Sequence, residues 1–328
     1  MDIEDPQELH DYLLKTGRIQ ANEIPRFQVL RGGVSNRAVL VERPGKDRWV
    51  LKQALPRLRV PDEWFSSPER IVREAEGMRV LAQIAPLGSI TQLVFLDQSE
   101  YLLAMEAVPE PHENWKKVLL SGHVEANHLE QCAELLAAIH RGGTAPKFRE
   151  EFDDRSFFES LRIEPYYLAT AERVPDARAF LEELVEETRS RRVTLVHGDF
   201  SPKNILIYQG RLVLLDHEVI HFGDPAFDIG FSMAHLLSKA HHLPRMRTAL
   251  AAASDRYFRT YRERGGLAGV TPSIRHTLGC LLGRVAGRSK LEYLNDDERC
   301  RQREAVIRLM ADPPLHVEGL IAQFLELL

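Results

Sequence analysis

Residues His197 to Gly230 read HGDFSPKNILIYQGRLVLLDHEVIHFGDPAFDIG, and the alternation of apolar runs with short polar turns here decides the fold. The preceding run, Arg192–Val196, is apolar and β-branched. It predicts a short strand that delivers His197-Gly198-Asp199 into a tight loop closed by Ser201-Pro202-Lys203. Ile205–Tyr208 and Leu212–Leu215 read as two more strands. Gln209-Gly210 between them is a two-residue hairpin turn in which Gly takes a positive φ. The hairpin brings Asp216 back beside Asn204, so Asp199, Asn204 and Asp216 are expected together at one end of a small sheet. Charged groups buried at strand ends are costly without a partner ion. His197 reads equally well as a satisfied core histidine.

An Asp, an Asn five residues later and a second Asp after a hairpin are also the parts of the protein-kinase pattern H-R-D-x-x-x-x-N with its metal-binding Asp. Mg²⁺ takes hard oxygen ligands, commonly one or two carboxylates plus phosphate oxygens. Taken as one string, His197-Gly198-Asp199-x-x-x-x-Asn204, Asp216-His217-Glu218 and Gly223-Asp224-Pro225-Ala226-Phe227-Asp228 resemble the aminoglycoside phosphotransferase and choline kinase superfamily. The resemblance implies a protein-kinase-like α+β fold of two lobes, a small antiparallel sheet followed by a larger, mainly helical lobe. It implies ATP as co-substrate, Mg²⁺, and a small-molecule hydroxyl acceptor. Asp199 would be the catalytic base, with Asn204 and Asp216 on the metal. His197 would prop the loop, and Asp228, opening a helix Ile229–Ala240, would brace it through backbone N–H groups.

Upstream, Glu8–Thr16 reads as a short bracing helix before Gly17. Phe27–Leu30, Arg37–Glu42 and Arg48–Ala54 read as strands, and Ile90–Asp97 with Tyr101–Pro109 complete a five-stranded antiparallel sheet. The connection Arg31-Gly32-Gly33-Val34-Ser35-Asn36 lies just before the strand that carries Lys52. There Gly32, Gly33 and Ser35 can lay backbone N–H groups over phosphates, although the full G-x-G-x-x-G pattern is lacking. Lys52 sits in the apolar run Trp49–Ala54, where a lone ammonium is expensive without an anion. The kinase arrangement gives it phosphates and a Glu on the next helix. That helix is expected from Ser67-Pro68 to about Ile84. At 100° per residue, Glu74 falls within the stripe of Ile71, Ala75, Met78, Leu81 and Ala82, while Glu76 falls on the wet face. Glu74 is therefore the expected partner of Lys52.

By resemblance, Met105-Glu106-Ala107-Val108 is similar to the kinase hinge, where backbone at the positions of Glu106 and Val108 binds adenine. Pro109-Glu110-Pro111 marks the lobe boundary, giving a nucleotide-binding lobe at 1–108 and a catalytic, acceptor-binding lobe at 109–328. Lys52-Gln53-Ala54-Leu55-Pro56-Arg57-Leu58-Arg59, followed by Trp64, is similar to the methylthioribose kinases, sugar kinases of the same superfamily. This narrower resemblance makes Glu218 a further metal ligand through an Asp-x-Glu pair and points to a sugar-like acceptor. Those kinases typically lack Asn at the place of Asn204.

Leu129–Arg141 is an amphipathic helix ended by Gly142-Gly143. Residues 154–191 add helical segments broken at Pro165 and Pro175, and the remainder is helical with breaks near Pro244, Pro272 and Pro313-Pro314. Segment 241–328 has 14 Lys or Arg against 10 Asp or Glu, and its densest basic part, Gly283–Lys290, reads as a solvated helix face. A net charge of −5 speaks against general nucleic-acid binding. The absence of a long apolar run or an apolar leader gives a cytoplasmic expectation. Cys132, Cys280 and Cys300 are too scattered for a disulfide framework or a zinc site. Alternatives of other classes are a nucleotide-binding pseudoenzyme and a metal-dependent hydrolase using His197, His217 and His221. An aminoglycoside kinase is the alternative within the class.

Overall fold

The computed structural model describes residues 1–328 except 32, 46, 61 and 62. Its N-terminal part is an antiparallel sheet of β1 (Arg26–Val29), β2 (Asn36–Glu42), β3 (Trp49–Ala54), β4 (Leu93–Asp97) and β5 (Leu102–Glu106), in the order β1-β2-β3-β5-β4. Period-two alternation splits its side chains between two faces. Val39, Val41, Leu51 and Ala104 pack under Leu9 and Leu13 of the helix Pro6–Lys15. Full burial of each of these leucines contributes about 1.5–3 kcal/mol. That helix starts two residues before the expected Glu8, because the Asp5 side chain caps the N–H groups of Gln7 and Glu8 and Pro6 opens it.

Val50, Ala54, Leu103 and Met105 point the other way and pack with Ile71 and Met78 of the helix Arg70–Ile84. Lys52 alternates with Val50 and Ala54, so it faces the same helix. The helix begins at Arg70 rather than at Ser67-Pro68. Ser67–Glu69 forms a tight turn in which Ser67 Oγ accepts from the Glu69 N–H at 3.3 Å.

The rest is mainly helical, around a core shared by the helices Ala126–Gly142, Ala226–His242, Arg247–Glu263 and Val270–Ala286. Ala226–His242 and Val270–Ala286 touch at Gly230, where an added Cβ would lie 2.3 Å from His276 Cβ. Three small strand pairs carry the loops of interest. They are β6 (His112–Asn114) on β8 (Ile205–Tyr208), β8 on β9 (Arg211–Leu214), and β7 (Thr194–Val196) on β10 (His221–Gly223). The β8–β9 turn has φ of 49° at Gln209 and 72° at Gly210, the paired positive values of a tight hairpin. The sheet lobe joins this region where the Leu214 N–H donates to Ser89 O at 2.8 Å.

Several expectations for this region are corrected. Pro165 does not break a helix; it lies inside a ten-residue π-helix, Glu159–Leu168. The wider turn accommodates a residue that has no N–H to give. The helix expected at Ile229 starts at Ala226, because Asp224 Oδ1 accepts from the Ala226 N–H at 3.0 Å. Pro272 stands in the first turn of Val270–Ala286, where it opens the helix. Arg284, expected on a solvated face, is buried. No helix among the described residues is long and apolar enough to cross a membrane. The architecture is a protein-kinase-like α+β fold of two lobes.

Candidate active site

Lys52 is the centre of one half of the site. Its Nζ lies 2.6 and 2.9 Å from the Glu74 carboxylate and 2.7 Å from Asp216 Oδ1. Glu74 is fully buried, whereas the Glu76 side chain is 45% exposed and pairs with Arg73. Burial, then the neighbouring Asp216 and Glu218, push the Glu74 carboxyl up to about 7 against the pull of Lys52. Asp216 goes the other way: burial would raise it, but Lys52 and Lys203 hold it below the usual carboxylate range. Glu218 Oε2 accepts from Arg70 Nε at 3.1 Å and Asn36 Nδ2 at 2.9 Å. Ligand oxygens of Glu74, Asp216 and Glu218 lie within 4.8 Å of one another, the only such group among the described residues.

The charges decide what this cluster accepts. Arg70 matches Glu218, which leaves Lys52 as one cation between two carboxylates. The donor set is hard oxygen with negative charge to spare, and it fits a magnesium-like cation.

The second half is the loop after β7. Gly198 takes φ 77°, and a Cβ there would meet Val219 Cγ2 at 2.9 Å, so the turn into Asp199 admits only glycine. Asp199 Oδ1 pairs with Arg162 at 2.9 Å, and its Oδ2 accepts from Asn204 Nδ2 at 2.6 Å. Arg162 Nε also donates to Gly198 O at 2.7 Å. Asn204 meets the Asp216 segment through its own carbonyl, which accepts from the Leu215 N–H at 2.8 Å. Asp216 itself has φ 69°, an uncommon conformation for a residue other than glycine.

Beneath the loop, the buried Asp228 accepts from the N–H groups of His197 at 2.7 Å and Gly198 at 2.8 Å. It also contacts His140 Nε2 at 3.1 Å. His197 Nε2 meets His217 Nδ1 at 3.1 Å, and its Nδ1 accepts from the Asp199 N–H. Burial lowers the pKa values of His197 and His217, and takes His221 down to about 3. These imidazoles are neutral struts. Among the described residues no histidine joins the group of metal-ligating side chains.

A cleft of about 630 Å³ runs between the lobes, within the range of small-ligand sites. Val50, Met105 and Val108 give it an apolar end, and Lys52, Asn204 and Asp216 a polar one. Gly33 and Ser35 stand in its wall, and Gly32 lies outside the described residues. The Ser35 carbonyl accepts from Arg70, so the loop is tied to the helix that carries Glu74. Glu106 is exposed at the cleft edge, with its N–H given to Gln92 O at 2.9 Å.

Arg162 and Arg70 are the site residues that sequence reasoning missed. Arg70 is wholly buried and also donates to the carbonyls of Ser66, Ser67 and Leu55. Its one signal is an arginine at the start of a helix whose next residues are core. Arg162 gives no periodic signal, because it sits on the π-helix.

Residues 26–269 match the phosphotransferase enzyme family, and the chain belongs to that family. The methylthioribose kinase of Yersinia enterocolitica is 27% identical over 240 residues, covering 65% of this chain and 59% of that kinase. That of Pectobacterium atrosepticum is 26% identical over 239 residues, with the same coverage. The chain thus spans about 59% of the length of the curated relatives it matches. Two solved structures share the fold. A choline/ethanolamine kinase family protein from Mesorhizobium loti has a TM-score of 0.56 at 14% identity, covering 97% of this chain and 98% of that one. An amicoumacin kinase in complex with AMP-PNP and Ca²⁺ has a TM-score of 0.58 at 15% identity, covering 96% and 98%.

Proposed function

We propose that this chain is an ATP-dependent phosphotransferase that moves the γ-phosphoryl group to a hydroxyl of a small, sugar-like or otherwise hydroxylated metabolite. The observation that carries the reading is Asp199, held by Arg162 on one oxygen and Asn204 on the other. Asn204 lines the same cleft as Lys52 and Asp216. Residues 1–108 serve as the nucleotide-binding lobe and 109–328 as the catalytic and acceptor-binding lobe. Adenine sits between Val50, Met105 and Val108, read by the backbone of Glu106 and Val108. The phosphates lie under Gly33 and Ser35, where Lys52 neutralises charge while Glu74 holds its ammonium in place.

Asn204, Asp216 and Glu218 hold Mg²⁺, which when bound offsets the negative charge of the phosphates. Asp199 accepts the proton of the attacking hydroxyl and aligns that oxygen on the phosphorus. Catalysis is then chiefly positioning and electrostatics. The likeness to methylthioribose kinases supports a sugar-like acceptor.

The test is a phosphotransfer screen of hydroxylated metabolites with MgATP, run beside Asp199→Asn. The variant should bind nucleotide and lose about 10²–10⁴-fold in turnover, the range of a general base. Turnover of the variant within a factor of about two of wild type would refute the assignment.

A further inference from the structure

Lys239 is the one described lysine with no exposed surface. Its Nζ donates to His235 O, one turn back on its own helix, at 3.1 Å. It stands 5.4 Å from the centre of the Tyr293 ring. No carboxylate among the described residues lies within ion-pair distance of it, so two of its three donors lack an acceptor. A buried ammonium in that condition is costly unless an anion joins it.

The neighbouring groups are left short in the same sense. Tyr293 Oη and Arg284 Nε are buried with no hydrogen-bond partner. Lys116, 6.0 Å from the centre of the same ring, pairs closely with Glu292. Lys116 and Glu292 line the cleft. Lys116, Lys239 and Arg284 are thus three cations around the one carboxylate of Glu292.

The cluster is also near the reacting end of the cleft. Arg284 Nη1 donates to Tyr166 Oη at 2.8 Å, and the Tyr166 ring lies 5.8 Å from the guanidinium of Arg162, which holds Asp199. One tyrosine therefore links Arg284 of the cluster to the arginine that holds the proposed base.

We infer that Lys116, Lys239 and Arg284 seat an anionic group of the acceptor, a carboxylate or a phosphate monoester, and that Glu292 holds its place until the acceptor arrives. The inference rests on the phosphotransferase reading and narrows its acceptor to hydroxy acids or sugar phosphates. Glu292 swings from Lys116 into solvent, and the entering anion takes its partners. Burial, with Lys116 and Arg284 nearby, brings the Lys239 pKa down to about 7, and an anion alongside restores its proton. A polycationic acceptor meets like charge here and is disfavoured.

The test uses the full chain with Mg²⁺ and AMP-PNP filling the nucleotide site. D-Glycerate against glycerol, and D-ribose 5-phosphate against D-ribose, are titrated by calorimetry. At least one acid should bind saturably and about tenfold or more tighter than its neutral partner, the responding pair telling carboxylate from phosphate. Lys239→Met and Lys116→Met should each weaken that acid about tenfold or more. Lys116 is partly exposed, so its variant keeps the test valid if Lys239→Met fails to fold. Acids binding no tighter than their neutral partners, or equally well to both variants, would overturn the inference. Loss of AMP-PNP binding with acid binding kept would instead overturn the phosphotransferase reading and support the anion site.

Discussion

Replacing Arg162 with Met removes the guanidinium that fixes the proposed base while leaving the cleft lining intact. Three polar contacts go, the 2.9 Å pair with Asp199 Oδ1 and the 2.7 Å bonds to Gly198 O and Leu161 O. Deleting one partner of a buried ion pair costs about 3–5 kcal/mol. The Asp199 side chain is 12% exposed, so water screens part of that loss and the low end of the range applies. The catalytic effect is separate. Asp199 keeps its bond to Asn204 but can pivot about it, and a misplacement of about 1 Å costs on the order of 10²-fold in rate. With water as acceptor, steady-state ADP release from MgATP should show kcat down by about 10²-fold and KM for ATP within a factor of about three. Arg162→Lys should recover only part of the rate, since one ammonium cannot reproduce the planar fork that reaches both Asp199 and the Gly198 carbonyl. Urea unfolding measured in parallel gives the stability loss. If that loss appears while kcat stays within a factor of about two of wild type, Arg162 is a structural residue only.

Two further outcomes follow from burial. Glu74→Ala should raise KM for ATP and slow turnover by about tenfold or more, because the Lys52 ammonium loses the carboxylate that holds it. Glu76→Ala, on a side chain 45% exposed, should do neither, and the reverse order would contradict the packing of that helix. Lys239 gives a pH signature. Its folded pKa of about 7 lies below the ordinary 10.5, lowered by burial and by Lys116 and Arg284, with Glu292 opposing. Between those values the unfolded chain holds a proton the folded chain lacks, so stability rises with pH across that window, by at most about 1.4 kcal/mol per unit. Melting temperatures of wild type and Lys239→Met in anion-free buffer should diverge from pH 7 to pH 9 in favour of wild type. A constant difference would place the Lys239 titration elsewhere.

What was legible in the sequence is what local geometry dictates. The offset of Asp199 from Asn204 and the two-residue turn at Gln209-Gly210 are short-range features, and the resemblance of the whole string 197–230 fixes the fold around them. The kinase arrangement calls for a Glu on the helix after Lys52, and the 3.6-residue period of that helix picks Glu74 over Glu76. Arg162 was illegible for a definite reason. Pro165 reads as a breaker, and a π-helix moves its residues off the 3.6-residue stripe. Arg70 was illegible because its acceptors, Ser35 O, Leu55 O and Glu218, come from three separate segments.

Lys239 is a different case. It stands in the apolar helical run Ala226–His242 as Lys52 stands in an apolar strand, and the same argument that a lone buried ammonium needs an anion applies to both. For Lys52 the anion is within the chain, two carboxylates at 2.6 and 2.7 Å. For Lys239 the described residues offer only a helix carbonyl and a ring face within contact. The carboxylate that acts on it, Glu292, is already paired with Lys116. The difference between the two lysines is therefore how burial is met, by carboxylates at Lys52 and, among the described residues, by a pKa lowered to about 7 at Lys239, which an entering anion would reverse.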